Sequence, residues 1–205
     1  MPLDSATRDR IQNLLASHRV VLFMKGDRQQ PMCGFSAAAA AALDDVLDEY
    51  HTVDVLGDPE IREGIKVFGN WPTIPQLYVD GELVGGSDIV RQMYASGELH
   101  TLFGVAAPDR TPPVITLTDK AAEAIREGLD QGTGMVLHLS ISADHQARFQ
   151  LAPADANDIV TEANGIEIHL DPGSAQRARG ITIDWVETMQ GAGLSLRFPD
   201  ATETA

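Results

Sequence analysis

Val20-Val21-Leu22-Phe23-Met24, then Lys25-Gly26-Asp27-Arg28-Gln29-Gln30-Pro31-Met32, then Cys33-Gly34-Phe35-Ser36 and the alanine run Ala37 to Ala42, is the stretch that decides the fold. The five apolar residues suit a short buried strand, and the alanine-rich segment from Ser36 to Leu47 reads as a helix, so the pair is a βα crossover unit. Upstream, Ile11, Leu14 and Leu15 fall on one helical face after a Ser5 cap. Downstream, Thr52 to Val55 reads as a second strand. Asp58-Pro59-Glu60 reads as an N-cap with proline at the first helical position, opening a helix to about Phe68. Gln76 to Val79 and Glu82 to Val84 flank Asp80-Gly81, a strong hairpin signal, and Ser87-Asp88 caps a last helix through Tyr94. These elements predict an α/β fold with a mixed sheet and helices on both faces.

Cys33 is the only cysteine in the 205 residues. At the head of a helix its thiol meets unpaired backbone N–H groups and the positive end of the helix dipole, so its pKa falls below the free value of about 8.5. A redox enzyme that closes its own disulfide carries Cys-x-x-Cys, and here the second slot is Ser36. Cys33 therefore pairs with a small thiol such as glutathione, with another chain, or with a metal. The competing reading is a buried cysteine acting as a small hydrophobe.

Composition narrows the function classes. The net charge of −15 is shared between residues 1–107, with 8 basic against 15 acidic side chains, and residues 108–205, with 7 against 15. Both halves repel nucleic acid and anionic lipid, so neither is expected as a partner. No apolar run approaches the length of a membrane helix, and Met1-Pro2-Leu3-Asp4 lacks a basic n-region, so neither export nor anchoring is indicated. A single cysteine excludes a disulfide framework and fits a reducing, cytoplasmic location.

A boundary falls at Ala106-Ala107-Pro108-Asp109-Arg110-Thr111-Pro112-Pro113, where three prolines in six residues enforce an extended linker over 108–113. The domains expected are 1–107 and 114–205. In the second, Val114 to Leu117 reads as a strand, Thr118 caps a helix from Asp119 to Leu129, and Gln131-Gly132 ends it. Strand signals then dominate, at Val136 to Ile141, Ala147 to Leu151, Ile166 to Leu170, Ile181 to Val186 and Leu194 to Phe198.

The stretch Val20 to Ser36, with Trp71-Pro72-Thr73-Ile74-Pro75-Gln76-Leu77-Tyr78 and Gly85-Gly86-Ser87-Asp88-Ile89 after it, resembles a monothiol glutaredoxin of the CGFS class over roughly residues 5 to 104. The resemblance implies a thioredoxin-like fold, glutathione binding, and a [2Fe-2S] cluster shared between two subunits. It implies that Cys33 is the metal ligand, and the catalytic thiol if the protein is redox-active, with Gly34 and Phe35 beside it. It places a cis peptide at Ile74-Pro75, freeing the Ile74 backbone to pair with a peptide-like ligand. Lys25 would face the glycyl carboxylate of glutathione and the cluster edge, and Arg62 and Lys66, one helical turn apart, would close around the same carboxylate. Ser87 and Asp88 would hold the γ-glutamyl end at a helix start. Many members carry a second cysteine where this chain has Ser87, so a regulatory disulfide partner is missing while the cluster ligands are intact.

Four thiolates are needed for a [2Fe-2S] centre and one chain supplies one. Two chains with two glutathiones supply four, so the cluster-bound form is expected to be a homodimer, with iron-sulfur recipients or BolA-like proteins as further partners by resemblance. Two other functions stay open: glutathione-dependent deglutathionylation with Cys33 as nucleophile, and a redox or iron-sensing adaptor that docks partners through its second domain. The loop Gly26-Asp27-Arg28-Gln29-Gln30 favours the cluster carrier, because it resembles the longer loop of the cluster-binding class.

The second half resembles an A-type iron-sulfur carrier (HesB-like) domain over residues 114 to 200. The residues are Ile115 to Ala122, Gly165-Ile166-Glu167-Ile168 with Asp171-Pro172-Gly173-Ser174, Gly180 to Glu187, and Gly193 to Phe198. The family works through three cysteines and none is present. The first would fall near Ser142-Ala143-Asp144-His145 and the paired ones after Pro199-Asp200-Ala201. Without thiolates the domain is not expected to hold a cluster by the family's means. His138 and His169 lie in strand patterns and His145 in a loop near the missing cysteine, where imidazole ligation is the remaining route to a metal. The expected role is a binding or dimerising module.

Overall fold

The first helix, α1 (Ser5–Ser17), is started by Asp4, whose carboxylate accepts the Thr7 N–H at 2.9 Å. The cap thus lies one residue before the expected Ser5, and a carboxylate there also meets the positive end of the helix dipole. The structure is a computed structural model that describes residues 3–129, 134–188 and 191–199. The chain falls into two compact units, Met1–Ala107 and Pro108–Ala205.

After α1 the first unit continues with β1 (Val20–Met24), α2 (Gly34–Asp44), β2 (His51–Asp54), α3 (Pro59–Phe68), β3 (Gln76–Val79), β4 (Glu82–Gly85), α4 (Ser87–Ser96) and α5 (Glu98–Phe103). The sheet order is β2-β1-β3-β4, with β1 and β2 parallel and the other pairs antiparallel. All five residues of β1 are buried, and its alternation divides the core. Leu22 and Met24 pack with Ala39 and Leu43 of α2, Val90 of α4, and Leu99 and Phe103 of α5. Val21 and Phe23 pack with Ile11 and Leu15 of α1 and Ile61 and Ile65 of α3. Helices therefore cover both faces, and each fully buried large apolar side chain contributes roughly 1.5–3 kcal/mol. This is a thioredoxin-like fold.

Asp58 caps α3 through the Ile61 N–H, and Asp80-Gly81 turns the β3–β4 hairpin with both residues at positive φ, as that dipeptide predicts. α2 ends at Asp44 rather than Leu47. α4 begins at Ser87 with Gly86 as its N-cap, and Gly97 in the left-handed region (φ 85) ends it. The short α5 beyond Gly97 was not anticipated, since six residues carry too little periodicity to read.

The second unit contains β5 (Thr116–Leu117), α6 (Asp119–Leu129), β6 (Val136–Ile141), β7 (Ala147–Ala152), β8 (Ile159–Ala163), β9 (Ile166–Leu170), α7 (Pro172–Arg177), β10 (Thr182–Thr188) and β11 (Gly191–Arg197). It forms a three-stranded sheet, β11-β10-β5, and a four-stranded sheet, β7-β6-β9-β8. One core joins them, with Leu117, Ala121 and Ile125 meeting Leu137, Leu139, Ile168, Leu170, Ile181 and Ile183. Thr118 starts α6 as expected, its hydroxyl accepting the Ala121 N–H at 3.4 Å and donating to Asp184 at 2.7 Å. The expected stop at Gln131-Gly132 lies outside the described residues. β8 and α7 add to the expected elements; α7 repeats the Asp-Pro start, with Asp171 accepting the Ser174 N–H at 2.9 Å. Among the described residues no helix is long and apolar enough to cross a membrane.

Candidate functional site

Cys33 is the N-cap of α2, extended at φ −158 and ψ 137, with its carbonyl accepting the Ala37 N–H at 2.9 Å. It sits where β1 has delivered the chain to the start of a helix. The backbone N–H groups of Ser36 and Phe35, and then the charge of Lys25, hold its thiol below the ordinary cysteine value, outweighing slight burial. The residue is half-buried and its thiol is not in a disulfide.

Ser36 shows why the second slot of the motif is not reactive. It is fully buried, and its hydroxyl accepts the Lys25 N–H at 3.1 Å, tying the end of β1 to the first turn of α2. The loop between them is held just as firmly. Met32 N–H donates to Lys25 O at 2.9 Å, Asp27 accepts the N–H groups of Gln29 and Gln30, and Asp54 accepts the Gly26 N–H at 2.9 Å. Gly26 is required, since it has φ +80 and a Cβ there would collide with the Gln30 carbonyl.

Beside this loop lies a cleft of about 450 Å³. Eight of the residues expected to bind line it: Lys25, Phe35, Arg62, Lys66, Ile74, Pro75, Ser87 and Asp88. Cys33 and Gly34 are not among its lining residues. The Ile74-Pro75 bond is cis. Three cations against one carboxylate make the cleft locally positive in a strongly acidic chain.

The polar atoms are unevenly satisfied. Lys66 donates to Glu63 at 2.9 Å and is already paired. Arg62 Nε lies 3.9 Å from the same carboxylate, beyond hydrogen-bond reach, and is buried without a hydrogen-bond partner among the described residues. Ser87 Oγ and Trp71 Nε1 are likewise buried without hydrogen-bond partners among the described residues, and all three residues line the cleft. Buried donors are almost always paired, so three in one cleft mark a place shaped for a ligand with acceptor groups. No side chain caps α4, which leaves its first-turn N–H groups beside exposed Asp88 as a further place for a carboxylate.

Trp71, Thr73, Gly86 and Gln76 were missed as site residues. Trp71, Thr73 and Gly86 line the cleft, and a Cβ on Gly86 would stand 3.2 Å from Trp71 Nε1, so glycine keeps the indole edge open. Gln76 is fully buried and donates to the carbonyls of Trp71 at 2.9 Å and Thr73 at 3.1 Å, while accepting from Tyr78. It positions the loop rather than touching the cleft. The signal available was a polar residue inside an otherwise apolar strand.

In the second unit, the place expected for the family's first cysteine is a tight turn in which Ser142 N–H donates to Gln146 O at 3.0 Å and the Ser142 hydroxyl bonds Asp144. His145 stacks edge-on against Phe198, ring centroids 5.0 Å apart. The place expected for the paired cysteines lies outside the described residues.

A thioredoxin-like sheet that presents a single thiol at a helix start beside a cationic cleft defines the glutaredoxin class. Residues 20–84 match the family described as Glutaredoxin, and residues 114–204 the family described as Iron-sulphur cluster biosynthesis. A protein named uncharacterized monothiol glutaredoxin ycf64-like, from Synechocystis sp., is 47% identical over 104 residues, covering 51% of this chain and 97% of that protein. Glutaredoxin 4 of Escherichia coli K12 is 49% identical over 98 residues, covering 48% of this chain and 85% of that protein. The solution structure of reduced poplar apo GrxS14 aligns with a TM-score of 0.46 at 40% identity, over 51% of this chain and 95% of that one. The chain belongs to the monothiol glutaredoxins, and carries a HesB-like iron-sulphur cluster biosynthesis domain as its C-terminal part. Its function is related to iron-sulfur biosynthesis.

Proposed function

We propose that the first unit binds and transfers a [2Fe-2S] cluster, with Cys33 and glutathione as ligands and a homodimer as the loaded form. One observation carries this reading: a thiol held toward thiolate stands at a helix start next to a cationic cleft in which three buried polar atoms have no hydrogen-bond partner among the described residues. Glutathione, a peptide with two carboxylates and an amine, fits that donor set. Lys25 and Arg62 would take one carboxylate, the start of α4 with Ser87 the other, and Asp88 the ammonium. Bound there, glutathione would supply the second thiolate that the chain itself lacks. Glutathione, a second copy of the chain, iron-sulfur recipients and BolA-like proteins are the partners of this proposal, and a cytoplasmic location suits its dependence on reduced thiols.

The test is anaerobic reconstitution with iron, sulfide and glutathione, read by visible absorption and by size. The wild-type protein should develop a cluster spectrum only with glutathione present, at dimer size. Cys33→Ser should stay colourless while keeping its fold, since a hydroxyl is a hard, poor ligand for iron. A glutathione-dependent cluster in Cys33→Ser, or a monomeric loaded form, overturns the proposal.

A second reading rests on the same lowered thiol pKa. Cys33 as thiolate would attack the glutathione sulfur of a mixed disulfide, releasing the protein thiol and forming Cys33-glutathione disulfide, which a further glutathione reduces. Turnover of a glutathionylated protein, with no cluster formed on reconstitution, would favour it.

A further inference from the structure

The second unit has no thiol, yet its four-stranded sheet brings three nitrogen and oxygen ligands together. His138 on β6 and His169 on β9 are register partners across a parallel pair, so their side chains leave the same face side by side, ring centroids 5.3 Å apart. Asp158 immediately precedes β8, the other neighbour of β9. One ligand atom from each residue lies within 4.8 Å of the other two.

The separations suit one small ion. Asp158 Oδ2 stands 3.0 Å from His169 Nδ1 and 3.7 Å from His138 Nδ1. Two donors bound at about 2.0–2.2 Å to one tetrahedral ion stand about 3.3–3.6 Å apart, so closing around it needs only small side-chain shifts. Hydrogen bonding prepares the ligands. His138 Nε2 lies 3.1 Å from the Pro153 carbonyl, which can only accept, so the ring is protonated at Nε2. Its Nδ1 faces the Asp158 carboxylate at 3.7 Å, beyond hydrogen-bond reach, which leaves the span of a bridging ion between them. A backbone carbonyl on the remote nitrogen is also the usual support of a metal-bound histidine. The Asp155 N–H donates to Asp158 Oδ2 at 3.0 Å and fixes the carboxylate.

The site is shielded but reachable. The side chains of His169 and Asp158 are 7% and 12% exposed and that of His138 is 20% exposed. His169 Nδ1 donates to the Asp158 carboxylate at 3.0 Å, so an ion held between them replaces that proton, while His169 Nε2 is buried without a hydrogen-bond partner among the described residues.

We propose that His138, Asp158 and His169 bind one divalent first-row transition-metal ion, zinc(II) or iron(II), leaving a coordination position open to water or an outside ligand. Two imidazoles and a carboxylate suit these ions, whereas calcium and magnesium favour all-oxygen sets. The site is separate from the Ser142–His145 turn: Ser142 follows His138 by four positions, about 13 Å along the strand direction. It is independent of the cluster proposal for Cys33.

The test uses the full chain carrying Cys33→Ser, which removes the competing thiol, titrated with cobalt(II) as a coloured probe. The expected result is one cobalt per chain, with visible absorption that zinc(II) abolishes by displacement. In the same background, His138→Ala and Asp158→Asn should each weaken binding by about tenfold or more, with unchanged circular dichroism. Zinc should raise the melting temperature of the parent but not of either variant. If His138→Ala does not fold, Asp158→Asn decides, because it keeps shape and volume. Absence of a cobalt spectrum from the parent, or a spectrum that both variants retain, overturns the proposal and leaves the trio as a structural His-Asp-His contact.

Discussion

The two units assemble polar groups in opposite ways. In the first, a lysine, a thiol and a buried serine follow one another within a single strand-loop-helix segment, Lys25 to Ser36, and the remaining cleft residues come from α3, the 71–75 loop and the start of α4. In the second, His138, Asp158 and His169 come from three segments and meet only because β6, β9 and β8 lie side by side. A site built at a helix start inherits donors that every helix leaves unpaired, so a short motif suffices to specify it. A site built across a sheet exists only when the register does, and no short motif announces it.

The largest effect that tests this contrast is in the core beneath the first site. Phe23 is fully buried in β1 and packs edge-on against Tyr78, and both Lys25 and Cys33 follow from that strand. Phe23→Ala should cost about 3–5 kcal/mol of first-unit stability. Denaturant unfolding in a Trp185→Phe background, where Trp71 is the remaining tryptophan, measures it. A cost under about 1 kcal/mol would show that β1 is not the support of the site.

A smaller effect separates the cleft cations. Arg62→Ala and Lys25→Ala should each weaken glutathione binding by about 1–3 kcal/mol in calorimetry, the range for a hydrogen bond to a charged group. Lys66→Ala should weaken it less, because Lys66 is already engaged by Glu63. Equal losses at all three positions would mean that pairing within the protein does not decide which cation is available.

The smallest effect concerns the thiol itself. Its pKa is lowered by the Ser36 and Phe35 N–H groups first and by Lys25 after them. The rate of alkylation by iodoacetamide should therefore rise with pH through an inflection below that of a free cysteine, and Lys25→Ala should move the inflection upward only partway. The sign for stability follows: between the folded and unfolded values the unfolded thiol binds more protons, so the contribution grows as pH rises and is lost as pH falls through the folded value. An inflection in Lys25→Ala equal to that of free cysteine would assign the shift to the lysine and not to the helix start.

Much of the fold was legible because its signals are local. Asp58-Pro59 starts α3, Asp80-Gly81 turns the β3–β4 hairpin, and Val136–Ile141 and Ile166–Leu170 are strands with the limits their apolar patterns indicate. The misses have local causes too. Asp4 and Ser5 are both good caps, and only the observed hydrogen bond to Thr7 chooses between them. The short α5 and α7 carry fewer than two turns of pattern, although Asp171-Pro172 offered for α7 the same start signal that revealed α3. β8 reads Ile-Val-Thr-Glu-Ala, an alternation too brief to stand apart from the turns around it.

By itself the amino-acid order determined the strand-loop-helix unit, the single thiol at a helix start, the missing resolving cysteine and the acidic charge of both halves. Each depends on residues adjacent in the chain or on composition. Tertiary structure alone decided that Arg62, Trp71 and Ser87 leave buried polar atoms facing one cleft, that Lys66 is already paired, that Gln76 holds the Trp71–Thr73 backbone, and that His138, Asp158 and His169 converge. Satisfaction of a polar atom is a property of its surroundings, and those surroundings are set by strand register and helix packing between segments far apart in sequence.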